Sequence, residues 1–192
     1  MGKTAAAGLL RDMGVPVVDT DDISREVTVP GSSVLGVIES QLGPGLLDSA
    51  GGLNRAKLAE RVFSDSQARK LLESILHPLI RESWRRVADG WREEGELVGV
   101  VVIPLLFETA AETDLDGSVC IACTRGTQLR RVQLRGWTTA ELARREAAQL
   151  GMEEKCRRSG VVVWTEGSLA AHREQWQWVL ARVRGQAGQS VA

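Results

Sequence analysis

Histidine and cysteine are scarce in this 192-residue chain, with two His and three Cys. His77 and His172 lie far apart, and Cys120 and Cys123 sit inside the apolar run 119–123. That run reads as a buried strand, in which residues three apart point to opposite faces. Four ligands at the spacing of a structural zinc site are not available, so neither a metal nor a disulfide role is expected for the cysteines. Long apolar runs are missing too. The longest uncharged one, residues 97–107, is interrupted by Pro104 and falls short of the roughly 20 residues that span a bilayer. Ala5–Leu10 is shorter than a secretory apolar region and lacks its flanks. Ala6 stands where a myristoylation signal needs Ser or Thr. A cytoplasmic location with no membrane partner is the expectation. No excess of one charge exists, since 24 Lys and Arg meet 25 Asp and Glu. A net charge of −1 leaves no footprint for general nucleic-acid binding. Internal repeats, long low-complexity linkers and an Asn-Lys-x-Asp guanine motif are also absent.

What is present suits a single globular domain, 43% apolar and 26% charged. Its charge is unevenly spread. Residues 125–158 hold eight Arg and one Lys against four Glu. Helical Arg–Glu pairs account for most of these arginines, and two or three remain for phosphate, which guanidinium matches in a bidentate way. The chain opens on Met1-Gly2-Lys3-Thr4 and small residues that start a helix. Gly-Lys-Thr is the closing part of a phosphate-binding loop, G-x-x-x-x-G-K-[ST]. Alone the tripeptide is weak, but an apolar run, 15–18, follows and ends in Asp19, Asp21 and Asp22. That pattern is a short buried strand with carboxylates at its C-terminal edge, where open α/β sheets bind ligands. Asp19 and Asp21 share a face if the strand continues through them. Asp21 or Asp22 could equally cap the next helix.

Further along, a helical stretch over about 21–94 is punctuated by Pro30-Gly31, Gly43-Pro44-Gly45 and Gly51-Gly52. Its last helix has an apolar stripe of Leu71, Leu72, Ile75, Leu76, Leu79, Ile80, Trp84, Val87 and Trp91, which Pro78 is expected to kink or break. Runs at 97–103, 118–123 and 160–164 read as strands apolar on both faces, hence a parallel sheet covered by helices. A terminal amphipathic helix carries Trp176, Val179, Leu180 and Val183, with a disordered tail expected after Gly185.

Taken in order, GKT at 2–4, VPVVDTDDISREV at 15–27, PGSSVL at 30–35, GGLNRAKLAERVF at 51–63, HPLIR at 77–81, VVVIPLLFE at 100–108, TQLRR at 127–131 and RREAAQLGMEEK at 144–155 resemble the dephospho-CoA kinases almost end to end. The resemblance implies a three-layer α/β P-loop kinase fold with a core over about 1–25, 96–124 and 158–185. It also implies a helical substrate-binding part over about 26–95 and a helical lid over about 125–157. The implied reaction moves the ATP γ-phosphate to the ribose 3′-hydroxyl of dephospho-CoA, the last step of CoA biosynthesis, with Mg²⁺ as cofactor. Gly2, Lys3 and Thr4 would hold ATP, with Thr4 on Mg²⁺. Asp21 is the implied base, Asp19 its orienting neighbour or a magnesium partner through water. Arg131 and Arg135, read as i and i+4 on one helix face, would clamp phosphates, and Arg144 and Gln149 fall beside the lid. His77 and Arg81 would meet dephospho-CoA, as would Leu105, Leu106, Phe107 and Glu108 at a strand end. A helix-break role for His77 and core packing for residues 105–107 are equal alternatives. Trp164-Thr165-Glu166 departs from the family's Asp-Asn or Asn-Asn pair near the adenine, and Trp164 would stack on the base or fill the core. The resemblance also implies a central strand ahead of Gly2. Met1 falls at the loop's last variable position, so either a misplaced start or a crippled product is expected. Another small-molecule P-loop kinase, or a non-catalytic product, are the alternatives.

Overall fold

The computed structural model describes residues 2–190, with side chains through 185. The expectation for Met1 lies outside the described residues. The chain divides into two compact units, residues 1–17 with 95–192, and residues 18–94.

The first unit is α/β. Helix α1 (Lys3–Asp12) places Ala6, Leu9 and Leu10 at helical spacing on one buried stripe. Gly14, at φ 75°, turns the chain after it. Val15 is buried, and strand β1 (Val17–Asp19) begins two residues later. Strand β2 (Val100–Val102) starts where the Val100 N–H donates to the Pro16 carbonyl at 3.0 Å. Strands β3 (Val119–Ala122) and β4 (Val161–Trp164) run parallel in register from Val119 opposite Val161 to Ala122 opposite Trp164. Their β-branched content suits a pleated sheet covered on both faces. Between β3 and β4 lie α6 (Arg125–Gln133), α7 (Thr139–Ala147) and α8 (Met152–Arg158). The terminal helix, Leu169–Ser190, packs Trp176, Val179 and Leu180 with the α1 stripe and Val163 into one core.

The second unit is helical. It contains α2 (Thr20–Glu26), α3 (Ser33–Leu42), α4 (Arg55–Ser64) and α5 (Ser66–Glu93). Val34, Ile38 and Leu42 of α3 pack with Leu58 of α4 and with Ala68 and Leu76 of α5. Numbered in chain order, the Leu169–Ser190 helix of the first unit is α9.

Several boundaries differ from the sequence reading. Pro78 neither ends nor interrupts α5, which runs 28 residues through it. The proline forgoes one backbone bond, to the carbonyl four residues back. Buried Ala68, Leu76 and Trp84 lie on both sides of it, and their packing outweighs the local penalty. Leu79 and Val87 of the expected stripe are exposed, as is Val183 of α9 at 40%. The tail expected to be disordered is helical as far as Ser190. Strand β2 is shorter than its apolar run, because Pro104 and a turn follow it closely.

Candidate active site

Gly2 begins α1 with φ 107° and ψ −1°, a left-handed conformation that only glycine adopts without strain. Space makes the same demand. A Cβ on Gly2 would stand 2.9 Å from Thr165 Cγ2 and 3.4 Å from Ile121 Cγ2. The Gly2 carbonyl accepts the Ala6 N–H at 2.9 Å and so closes the first turn. No side chain caps this start, and no acid lies in its first turn. First-turn N–H groups and the positive end of the helix dipole make such a start suited to phosphate. Lys3 is half-buried and Thr4 exposed on that turn.

At the edge of β1 the acids separate. The strand stops at Asp19, whose Oδ1 accepts the Asp21 N–H at 2.9 Å. Asp19 is therefore the cap of α2, and Asp21 sits in the helix, exposed. The two do not share a strand face, because the cap turns the backbone into the helical region between them. Asp22 pairs with Arg25 at 2.5 Å on the surface.

Arg131 on α6 reaches the segment after β4. Its Nη1 donates to Thr165 Oγ1 at 2.6 Å and its Nη2 to the Thr165 carbonyl. Thr165 is buried, and its methyl is the group that crowds Gly2. Arg131 and the start of α1 are thus brought to the same residue. Arg135 is not on the helix face with Arg131. Helix α6 ends at Gln133, and Gly136 at φ 75° turns the chain, so Arg135 lies exposed in the turn. Arg144 is exposed on α7. Of the other cations in 125–158, Arg125 pairs with Glu146, Arg157 with Glu154 and Arg158 with Glu112. The Arg145 guanidinium lies 4.1 Å from the Trp137 ring centroid. Structural partners therefore absorb most of the arginines.

After β2, Phe107 is buried beneath the Arg158 guanidinium, 4.5 Å from its ring centroid. Leu105 and Leu106 are half-buried. Glu108 pairs with Lys155 at 2.9 Å and accepts the Leu150 N–H at 2.8 Å. Burial would raise its carboxyl, but the bonds from Lys155 and Leu150 win and hold it below the usual range. Lys155 also donates to the Pro104 carbonyl and to Gln149 Oε1, each at 3.1 Å. Glu108 thus fastens the end of β2 to the turn before α8.

In the second unit, His77 and Arg81 lie one turn apart on α5, both half-buried. Burial pushes the His77 imidazole pKa down, with Glu73 opposing in part. Arg81 lines an open groove with Pro78, Arg85 and Asp89.

Some contacts had no signal in the sequence reading. Glu166 Oε1 accepts the Thr124 N–H at 2.6 Å and Oε2 accepts the Thr127 hydroxyl at 2.8 Å. Cys120 and Cys156 stand with their sulfurs 3.7 Å apart, both as free thiols. Burial and Cys156 push the Cys120 thiol up to about 11. Trp164 is 49% exposed and does not fill the core. Its backbone exchanges two hydrogen bonds with the Gln175 side chain.

Among the described residues no helix is long and apolar enough to cross a membrane. The family model described as dephospho-CoA kinase matches residues 1–171. A dephospho-CoA kinase of Bdellovibrio bacteriovorus is 38% identical over 154 residues, covering 80% of this chain and 77% of the relative. That of Syntrophotalea carbinolica is 37% identical and covers 95% of this chain and 87% of the relative. A solved structure from Thermus thermophilus superposes with a TM-score of 0.77 at 32% identity, covering 94% of this chain and 91% of the other. The dephospho-CoA kinase of Campylobacter jejuni gives 0.72 at 25% identity, over 96% of this chain and 92% of its own. The α/β architecture with its Gly-Lys-Thr helix start is that of a P-loop kinase, and the chain belongs to the dephospho-CoA kinase family.

Proposed function

We propose that the start of α1 and Arg131 hold the phosphates of ATP, and that Asp21 accepts the proton of the dephospho-CoA 3′-hydroxyl. The observation behind this reading is the double requirement for glycine at position 2, by conformation and by space, directly ahead of Lys3 and Thr4. Phosphoryl transfer asks mainly for positioning and neutralisation of charge. Backbone N–H groups of the first turn meet the phosphate oxygens, and the Lys3 ammonium offsets the charge of the terminal phosphates. The Arg131 guanidinium, held by Thr165 through two of its N–H groups, has further donors for phosphate oxygens. Asp21, an exposed carboxylate just past a strand's C-terminal end, suits a general base. Asp19 orients the start of α2 that carries it. Arg135 and Arg144, both exposed, supply further cations for the nucleotide. Residues 125–157 act as the lid, and residues 26–95, with His77 and Arg81, bind dephospho-CoA. Leu105 and Phe107 wall the acceptor site, and Glu108 shapes it through its bond to Lys155.

Among the described residues no three His, Cys, Asp or Glu converge as a metal-ligand group. This fits Mg²⁺, which takes one or two protein oxygens and otherwise substrate phosphates and water. The exposed Thr4 hydroxyl would hold it, with Asp19 through water, and the ion would supply charge neutralisation at the β- and γ-phosphates. A cytoplasmic location accords with the reaction and with the lack of a membrane-crossing helix among the described residues.

Lys3→Ala tests this reading. It is expected to weaken ATP binding and lower turnover together, by about 10²-fold or more in kcat/KM, as loss of a charge-stabilising donor does. Unchanged kcat/KM would refute the assignment.

A further inference from the structure

We infer that Thr165 and Glu166 form a two-residue clasp that aims Arg131, which makes both of them positioning residues for the phosphoryl transfer. The inference rests on the reading that Arg131 meets phosphate.

Each polar group of Thr165 has one job. Its N–H donates to the Ala122 carbonyl at 2.9 Å and extends the β3–β4 ladder by one bond. Its hydroxyl donates to the same carbonyl at 3.1 Å, so the oxygen's lone pairs face the Arg131 donor at 2.6 Å. Its carbonyl takes the second nitrogen of the same guanidinium. Both bonds come from a cation, so each is stronger than a neutral one, and the fork fixes the plane of the guanidinium. The remaining group, the methyl, abuts Gly2. One buried side chain therefore sets the bearing of Arg131 relative to the start of α1.

Glu166 holds the same helix from its other end. Its carboxylate takes the Thr124 N–H and the Thr127 hydroxyl, in the first turn of α6. Those bonds, the Thr124 N–H first and the Thr127 hydroxyl second, hold the carboxyl below its usual range. Thr127 Oγ1 accepts Arg130 Nη2 at 2.9 Å, which leaves Arg131 rather than Arg130 turned toward Thr165. Helix α6 is thus fixed at its first turn by Glu166 and at Arg131 by Thr165. A helix held at two points along its length can neither rotate nor slide. An arginine that must meet a phosphate in a fixed plane needs that constraint, since misplacement by about 1 Å can cost about 10²-fold in rate.

The experiment is a double-mutant cycle on the full chain, with ATP affinity and kcat/KM for ATP measured on Arg131→Ala, Thr165→Val and the double variant. Thr165→Val keeps the shape and removes the hydroxyl acceptor, leaving the carbonyl one. It is expected to lower kcat/KM about tenfold, the scale of one hydrogen bond to a charged group. In the Arg131→Ala background it should cost nothing more, and Thr165→Ser, which keeps the hydroxyl and loses only the methyl, should retain more activity than Thr165→Val. An unaltered Thr165→Val beside an impaired Arg131→Ala would overturn the clasp and leave the Arg131 reading standing. So would an equal loss in both backgrounds. A fully active Arg131→Ala would instead overturn the Arg131 reading, and the clasp with it. Where a thermal melt shows Thr165→Val unfolded, Glu166→Gln takes its place in the cycle with the same expectations.

Discussion

Two carboxylates near the ends of two strands do the same job at different range. Asp19, the last residue of β1, caps a helix that begins one residue later and accepts an N–H only two residues away. Glu166, just past β4, accepts the N–H of Thr124, the cap residue of α6, which lies 42 residues earlier. The first arrangement is self-contained. It leaves the next acid, Asp21, without a capping duty and exposed. The second ties two separate stretches of chain together, and the clasp inferred above assigns to it the aim of Arg131. The function proposed above assigns chemistry to the acid that the first arrangement leaves exposed and phosphate binding to the cation beside the second.

The largest expected effect concerns the released acid. Asp21→Asn keeps the shape but cannot accept the hydroxyl proton, so kcat should fall by about 10²–10⁴-fold while the ATP Kd hardly moves. Steady-state kinetics with an ATP titration checks both. If more than about a tenth of turnover survives, the base is elsewhere, since the smallest expected loss is about 10²-fold.

A smaller effect isolates the local cap. Asp19→Ala should cost about 0.5–2 kcal/mol of stability, and Asp19→Asn almost none, because Asn caps as well as Asp. Denaturant midpoints of the two variants decide it. Equal losses would mean that the charge of Asp19, not its cap, matters to the fold.

The mildest effect tests the environment of the restrained cation. His172 is buried, and its Nε2 accepts Trp176 Nε1–H at 3.0 Å, which requires a neutral ring. Burial first, and Arg131 second, push its pKa below 6.5. Between the folded value and about 6.5 the unfolded chain therefore binds more protons, so stability rises with pH there. The contribution is complete above about 6.5 and fades as pH falls through that value toward the folded one. Thermal melts from pH 7.5 down to 5 should show the decline, and His172→Gln should reduce it, leaving the part that His77 contributes. A melt independent of pH over that range would contradict this account of His172.

What the sequence disclosed follows the same division of range. That a helix is capped beside these acids was legible because the cap is local, but the sequence reading offered Asp21 or Asp22 for it and the cap is Asp19. The Thr138–Glu141 capping box and the Asp65 cap are local too. The strands followed from apolar runs, and the kinase fold from the resemblance that the motif series carries. Arg131 was singled out through its motif, but its anchor on Thr165 lies 34 residues away, and no local pattern reports that. The Cys120–Cys156 contact, 36 residues apart, was invisible for the same reason. One misreading had a local cause. Gly136 was a signal that α6 would stop before Arg135, and helix periodicity was carried past it. Of the two outcomes expected at Pro78, a kink or a break, the break does not occur, and buried residues lie on either side of it in one continuous α5.

The central claim is tested most directly by supplying the chain with ATP, Mg²⁺ and dephospho-CoA and measuring ADP and CoA together. The account predicts equal amounts of both products, with ADP formation dependent on dephospho-CoA. ADP formed at the same rate without dephospho-CoA, or no 3′-phosphorylated product, would contradict it.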